Sequence, residues 1–154
     1  MRGTTASRIA LSLALAVGLA AGLGAFTFVY ARGYSYLSND AAACANCHVM
    51  REHYDAWIKS THRAVASCND CHTPHDIVGK YTVKAKNGFW HSFYFTTGRY
   101  PDPLRITEGN TQVTANACRD CHGEITAAID HPSARAAEQS NCVRCHQYVG
   151  HLVR

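Results

Sequence analysis

Apolar and polar positions divide the chain sharply. Residues 9–30 contain no charged side chain, whereas the chain after Arg32 is polar with only short apolar stretches. At about 1.5 Å per residue, that run gives roughly 33 Å of helix, enough to cross a hydrocarbon core. It exceeds the roughly 7–15 apolar residues of a cleavable signal, and no A-x-A-like site closes it. The pattern therefore predicts an uncleaved anchor. Arg2, Arg8 and the amino terminus precede the run and Arg32 follows it, a modest bias that puts the N-terminus inside. Residues 31–154 are then carried across the membrane. Beyond the anchor, Met50, Tyr54, Trp57, Ile58, Thr61 and Val65 recur at helical spacing and predict a helix over 50–66. Residues 76–95 read as a second helix with Asn87-Gly88 as its candidate break, and 98–114 as a turn-rich linker. Residues 123–138 read as helical, with His131-Pro132 marking a kink or a new start. No stretch reads as a strand.

Composition narrows the class. With 47% hydrophobic residues, 11 Gly and 4 Pro, the chain is neither disordered nor collagen-like. A net charge of +4, with no cluster of five Lys or Arg, gives no footprint for nucleic acid. The informative residues are 8 Cys and 10 His, all of which fall within 31–154.

Every cysteine belongs to one motif: Cys44-Ala-Asn-Cys47-His48, Cys68-Asn-Asp-Cys71-His72, Cys118-Arg-Asp-Cys121-His122 and Cys142-Val-Arg-Cys145-His146. C-x-x-C-H is the c-type haem attachment sequence. Its two thiols can form thioethers to the two vinyl edges of one porphyrin, and the adjacent His reaches the iron from the same side. A zinc ribbon has no reason to follow each pair with His, and a disulfide framework does not repeat one spacing four times. Four covalent c haems are therefore expected. Only 124 residues serve those four haems, so the haems themselves must form much of the core. Cys44 to Cys68 and Cys118 to Cys142 are each 24 positions, and the halves are offset by 74, which reads as a duplicated two-haem unit (halves 44–97 and 115–154). The fold expected is mostly α and loop-rich: a multihaem cytochrome c with one N-terminal transmembrane helix.

An iron that only transfers electrons takes a second axial ligand. His62, His131 and His151 are the expected distal ligands, alongside the motif ligands His72, His122 and His146. His75 stands three residues past His72 and is placed for another haem or a propionate; His53 is a weaker candidate of the same kind. The first motif differs, because Met50 is a thioether that competes with His48 for one iron.

These residues have a family signature. The N-terminal anchor, C-x-x-C-H-x-M, Trp57-x-x-x-x-His62, C-x-x-C-H-x-P-H and the closing C-x-x-C-H-x4-H together resemble the NapC/NirT family of membrane-anchored tetrahaem cytochrome c quinol dehydrogenases. The short length is most similar to the small subunits of periplasmic, ammonia-forming cytochrome c nitrite reductases. The resemblance implies Met50, not His48, as the ligand of the first iron. It implies a menaquinol pocket beside that haem, lined by a Lys and, seven residues on, an acidic residue. Lys84 matches the Lys, whereas His91 stands at the acidic position, leaving open whether His91 ligates the first iron. The resemblance also implies a partner, the catalytic multihaem nitrite reductase subunit, whose own Lys can complete one haem in place of a ligand such as His131. The expected layout is a cytoplasmic tail at 1–8, an anchor at 9–30 and a periplasmic tetrahaem domain at 31–154, held at a bacterial cytoplasmic membrane.

The residues around Lys84 fit that pocket on physical grounds. Lys80, Lys84 and Lys86 precede Phe89-Trp90-His91-Ser92-Phe93-Tyr94-Phe95, and aromatics beside basic groups suit a membrane–water interface. A quinol needs an apolar slot, hydrogen-bond partners for two hydroxyls and a proton acceptor; His91 can accept the proton and Lys84 can orient an oxygen. The expected function is menaquinol oxidation with electrons sent through four haems to a periplasmic reductase. The rivals are a tethered carrier without a quinol site, a quinol dehydrogenase serving another reductase, and a catalytic multihaem reductase.

Overall fold

The computed structural model describes residues 4–130 and 141–151. The chain forms two compact units, Met1–Tyr34 and Ser35–Arg154.

The first unit is one helix, α1, Thr5–Tyr30. None of its side chains is buried, and Leu, Val and Phe cover its surface, as expected for a helix whose apolar side chains face lipid. It is long and apolar enough to cross a membrane. The helix stops where Arg32 adopts the left-handed φ of 52°.

The second unit is built from short helices: α2 (Ala41–Cys44), α3 (Arg51–Ile58), α4 (Cys68–His72), α5 (Ile77–Thr97), α6 (Glu108–Cys121), α7 (Gly123–Ile129) and α8 (Cys142–Cys145). Short 3-10 turns at Gly33–Leu37, His48–Met50 and Thr61–Ala64 connect some of them. No strand occurs among the described residues. Polar residues set the starts. The Asp40 carboxylate accepts from Ala42 N at 2.9 Å, and Asp76 accepts from Gly79 N at 2.7 Å. Ser67 N and Oγ both donate to Asp70 Oδ2 at 2.8 Å, so the second haem motif carries its own cap. At the end of α5, Gly98 takes φ 65°, a left-handed cap that a glycine adopts without a Cβ penalty.

Three expectations from the hydrophobic pattern need correction. The helix predicted over 50–66 ends at Ile58; Trp57 Nε1 donates to Ala66 O at 3.0 Å and draws the chain back on itself. The break at Asn87-Gly88 does not occur, because Gly88 is where α5 passes the Tyr36 ring; a Cβ there would lie 3.4 Å from Tyr36 Cδ1. The linker is shorter than predicted, since α6 starts at Glu108 and buries Thr114, Ala115 and Ala117, residues too small to give a strong hydrophobic period. The helix predicted over 123–138 is α7 up to Ile129; the rest falls outside the described residues. The second and fourth motifs each open a short helix, α4 and α8, whereas the first begins at the last residue of the four-residue α2 and the third closes the fourteen-residue α6.

Among the described residues the buried apolar side chains are Ala41, Ala115 and Ala117. Around them the motif helices pack in series, α2 on α4, α4 on α6 and α6 on α8.

Candidate functional site: the haem motifs and the Lys84–His91 face

The serial packing brings the cysteines of successive motifs together. Cys44 lies close to Cys68. Cys71 lies near Cys121 and Cys118, and Cys118 near Cys142. Cys47 and Cys145 lie at the surface. The attachment sites therefore run in chain order, first to fourth. His75 ties the second and third together: its ring bonds the Asp70 carbonyl at 2.9 Å through Nε2 and lies 3.4 Å from Asp120 Oδ2 through Nδ1.

The histidines fall into pairs. His62, brought round by the Thr61–Ala64 turn, stands with its ring centroid 6.1 Å from that of His122, with the planes 63° apart. His72 and His151 are 6.0 Å apart, with planes 15° apart. His53 packs edge-on to His151 at 4.9 Å, and its buried Nδ1 has no hydrogen-bond partner among the described residues. Burial, with His151, His53 and His91 facing it, pushes the His72 imidazole down to about 4. It is thus neutral over the working range, the form that binds metal. Imidazole–metal bonds of about 2 Å on either side of one ion put two ring centroids about 6 Å apart, so both pairs fit an iron between them. The residues present therefore fit c haem in their thiols, their paired imidazoles and the small apolar core beside them.

The first motif departs from this pattern. The His48 ring is exposed and lies edge-on to Phe95 at 5.9 Å, while Met50 is half-buried at the end of the 3-10 turn. His146 is exposed, with its backbone N–H bonded to Cys142 O at 2.9 Å. His131 lies outside the described residues.

Lys84 and His91 stand seven residues apart on α5, two turns along one face. Lys84 is only 6% exposed. Its Nζ donates to Ser38 O at 2.7 Å and to Asn39 Oδ1 at 3.2 Å, which leaves one of three N–H donors for a ligand. Burial and the neighbouring Lys80 charge hold its ammonium below the ordinary lysine range, against a pull from nearby Cys44. His91 Nδ1 lies 3.0 Å from the Tyr36 hydroxyl, and desolvation holds its ring below the usual imidazole range. Burial, then Cys47 and Cys44, push the Tyr36 phenol up to about 12, so it keeps its proton. Beside His91 on α5 Trp90 lies on Tyr94 at 5.4 Å, while Phe89 and Phe93, 6.4 Å apart, stand on the opposite, exposed side of the helix. Sequence reasoning missed Tyr36, Ser38 and Asn39 as partners of the Lys84–His91 face. Tyr36 reads locally as an interfacial aromatic, and no short-range signal links it to His91.

The model of the NapC/NirT cytochrome c family, N-terminal region, matches residues 4–154. Cytochrome c-type protein NrfH of Wolinella succinogenes is 36% identical over 137 residues, covering 80% of this chain and 77% of that protein. Cytochrome c nitrite reductase subunit NrfH of Nitratidesulfovibrio vulgaris is 31% identical over 114 residues, covering 71% of this chain and 65% of that protein. Among solved structures, a chain of the cytochrome c nitrite reductase NrfHA complex bound to the HQNO inhibitor superposes with a TM-score of 0.62. It is 27% identical, and the match covers 90% of each chain.

Proposed function

The chain belongs to the NapC/NirT cytochrome c family, and on that premise we propose that it is a quinol dehydrogenase feeding a nitrite reductase. It is a membrane-anchored, haem c electron-transfer protein. It oxidises menaquinol and passes the electrons through four covalently bound haems to the catalytic subunit of cytochrome c nitrite reductase. The haem-bearing unit is periplasmic and the eight residues before the anchor are cytoplasmic. The relative named as a nitrite reductase subunit, and the inhibitor-bound complex among the solved structures, support the partner and the quinol. The observation that carries the reading is the series α2–α4–α6–α8, with Lys84 joined to α4 through Ser38 O, which accepts from both Lys84 Nζ and Asn69 Nδ2.

Cys44 with Cys47, Cys68 with Cys71, Cys118 with Cys121 and Cys142 with Cys145 hold the haems. His72, His122 and His146 would be the motif-side ligands, with His62 paired to His122, and His131 and His151 would complete others. Met50 would take the first iron, an assignment supported by the exposed His48 turned to Phe95. When bound, the haems supply one-electron acceptors in a row. The chain handles the quinol and its protons. The third N–H of Lys84 donates to one quinol oxygen. His91 accepts the proton of a hydroxyl: with Nδ1 protonated and donating to the Tyr36 oxygen, Nε2 is the base. The stacked rings of Trp90 and Tyr94 beside His91 supply the apolar slot. A two-electron quinol thus becomes quinone, releasing two protons and two electrons.

The partner assignment is tested with the purified catalytic subunit. Vesicle-bound protein reduced by menaquinol should be reoxidised by nitrite only when that subunit is added. Nitrite-dependent reoxidation without it would point to a catalytic multihaem reductase instead.

A further inference from the structure

We infer that His75 is a redox-linked proton-binding site: its ring bridges the second and third haem motifs at equivalent positions, and it binds a proton at Nδ1 more tightly when the irons beside it are reduced. The assignment rests on reading C-x-x-C-H as haem attachment and is independent of the quinol reaction. The second and third motifs both carry Asp immediately before their second cysteine, Asp70 in Cys68-Asn69-Asp70-Cys71 and Asp120 in Cys118-Arg119-Asp120-Cys121. These are the two residues that the His75 ring meets, so a charge on it stands beside both attachment sites.

The geometry fixes where the protons go. Nε2 lies 2.9 Å from the Asp70 carbonyl oxygen, which only accepts, so Nε2 carries an N–H. In a neutral ring Nδ1 then turns a lone pair on Asp120 Oδ2 at 3.4 Å, acceptor against acceptor. A proton on Nδ1 converts that repulsion into an ion pair. The Asp70 carboxylate is engaged by Ser67 N and Oγ at 2.8 Å, which leaves its carbonyl to the ring. From α5 the nearby charges are Asp76, which accepts from Gly79 N at 2.7 Å, and Lys80, which acts on the Asp70 carboxylate. From α6, Arg119 lines the same cavity as His75, Asp76 and Asp120, and its Nε donates to Asp130 Oδ2 at 2.7 Å. The His75 side chain is 39% exposed, so solvent protons reach it. One electron entering either iron cancels one positive charge there, and one proton taken from solvent onto Nδ1 restores it. Each event favours the other, so protonation raises the potential of the irons by the same coupling with which reduction tightens the proton.

Spectroscopic redox titration of the full-length holoprotein, with dithionite and mediators at a series of values from about pH 5 to 8, reads this coupling without any quinol. Intact mass counts the haems in each preparation. At least two of the four potentials should fall as pH rises in the unmodified protein. In His75→Gln the amide keeps a donor for the Asp70 carbonyl but takes up no proton, and two potentials should stay at their alkaline values throughout. In His75→Lys, which carries a standing cation, the same two should stay at their acid values. Asp120→Asn, which removes the attracting carboxylate, should move the fall to lower pH, and it decides the matter if the His75 variants lose haem. Four potentials that ignore pH in the unmodified protein overturn the assignment. So does a four-haem His75→Gln or Asp120→Asn protein whose potentials follow pH as the unmodified protein's do. An unmodified protein carrying fewer than four haems overturns the underlying haem reading instead.

Discussion

Lys84 Nζ lies 2.7 Å from the carbonyl oxygen of Ser38, 46 positions earlier in the chain. The same carbonyl accepts from Asn69 Nδ2 at 3.4 Å, so one backbone oxygen joins α5 to α4. A buried ammonium fixed by two oxygens and still holding one N–H is a preorganised hydrogen-bond donor. On the proposed reading, replacing it removes one charge-assisted hydrogen bond to the quinol, worth about 1.5–3 kcal/mol. Lys84→Ala should thus slow menaquinol-driven haem reduction about ten- to hundredfold, with reduction by dithionite unaffected. Stopped-flow reduction by both donors on one preparation checks this. Equal slowing by both donors would mean that Lys84 supports the haem and not the quinol.

His91 provides a pH test. Its pKa is depressed, so the neutral, proton-accepting imidazole persists below about 6.5, the ordinary value. The quinol rate should stay level as pH falls through the usual imidazole range and decline only below it. His91→Phe should lower the plateau by about a hundredfold, typical of a lost general base, and abolish that acidic limb. An unchanged pH profile in His91→Phe would assign the proton to another group.

What the sequence disclosed and what it hid have physical reasons. The anchor and the four haem motifs are local patterns, and each was readable within a few residues. The α5 helix followed from its period, although Asn87-Gly88 looked like a break. α5 runs unbroken through Gly88 past Tyr36, which lies 55 positions from the His91 it bonds, and no local rule reports such a distance. His75 has the same lesson: its neighbours Asp70 and Asp120 belong to two different motifs. The start of α6 was hidden because its buried face is Thr114, Ala115 and Ala117.

Gly88 gives a graded steric prediction. A single methyl at 3.4 Å from Tyr36 Cδ1 is ordinary contact, and Ala favours helix over Gly by roughly 0.5–1 kcal/mol. Gly88→Ala should retain the quinol rate and raise resistance to heat slightly. Gly88→Leu should push Tyr36 from His91 and slow quinol oxidation with all haems retained. Thermal unfolding followed by visible absorbance, together with the quinol assay, separates the two variants.

Met50 tests the first iron. A thioether raises the potential of a haem iron relative to imidazole. Met50→His should lower the potential of one haem in a spectroscopic redox titration and slow its reduction by menaquinol. If Met50→Ala leaves both spectrum and quinol rate unchanged, His48 is the ligand.

The central claim, that this chain itself takes electrons from menaquinol, is tested by vesicles containing the full-length protein alone. On addition of a reduced menaquinol analogue under anaerobic conditions, the c-haem absorbance should rise. Its extent should approach that given by dithionite as far as the haem potentials permit, and Lys84→Ala with His91→Phe should together suppress the rise. Haems that respond to dithionite but stay oxidised with menaquinol in the unmodified protein would contradict the account.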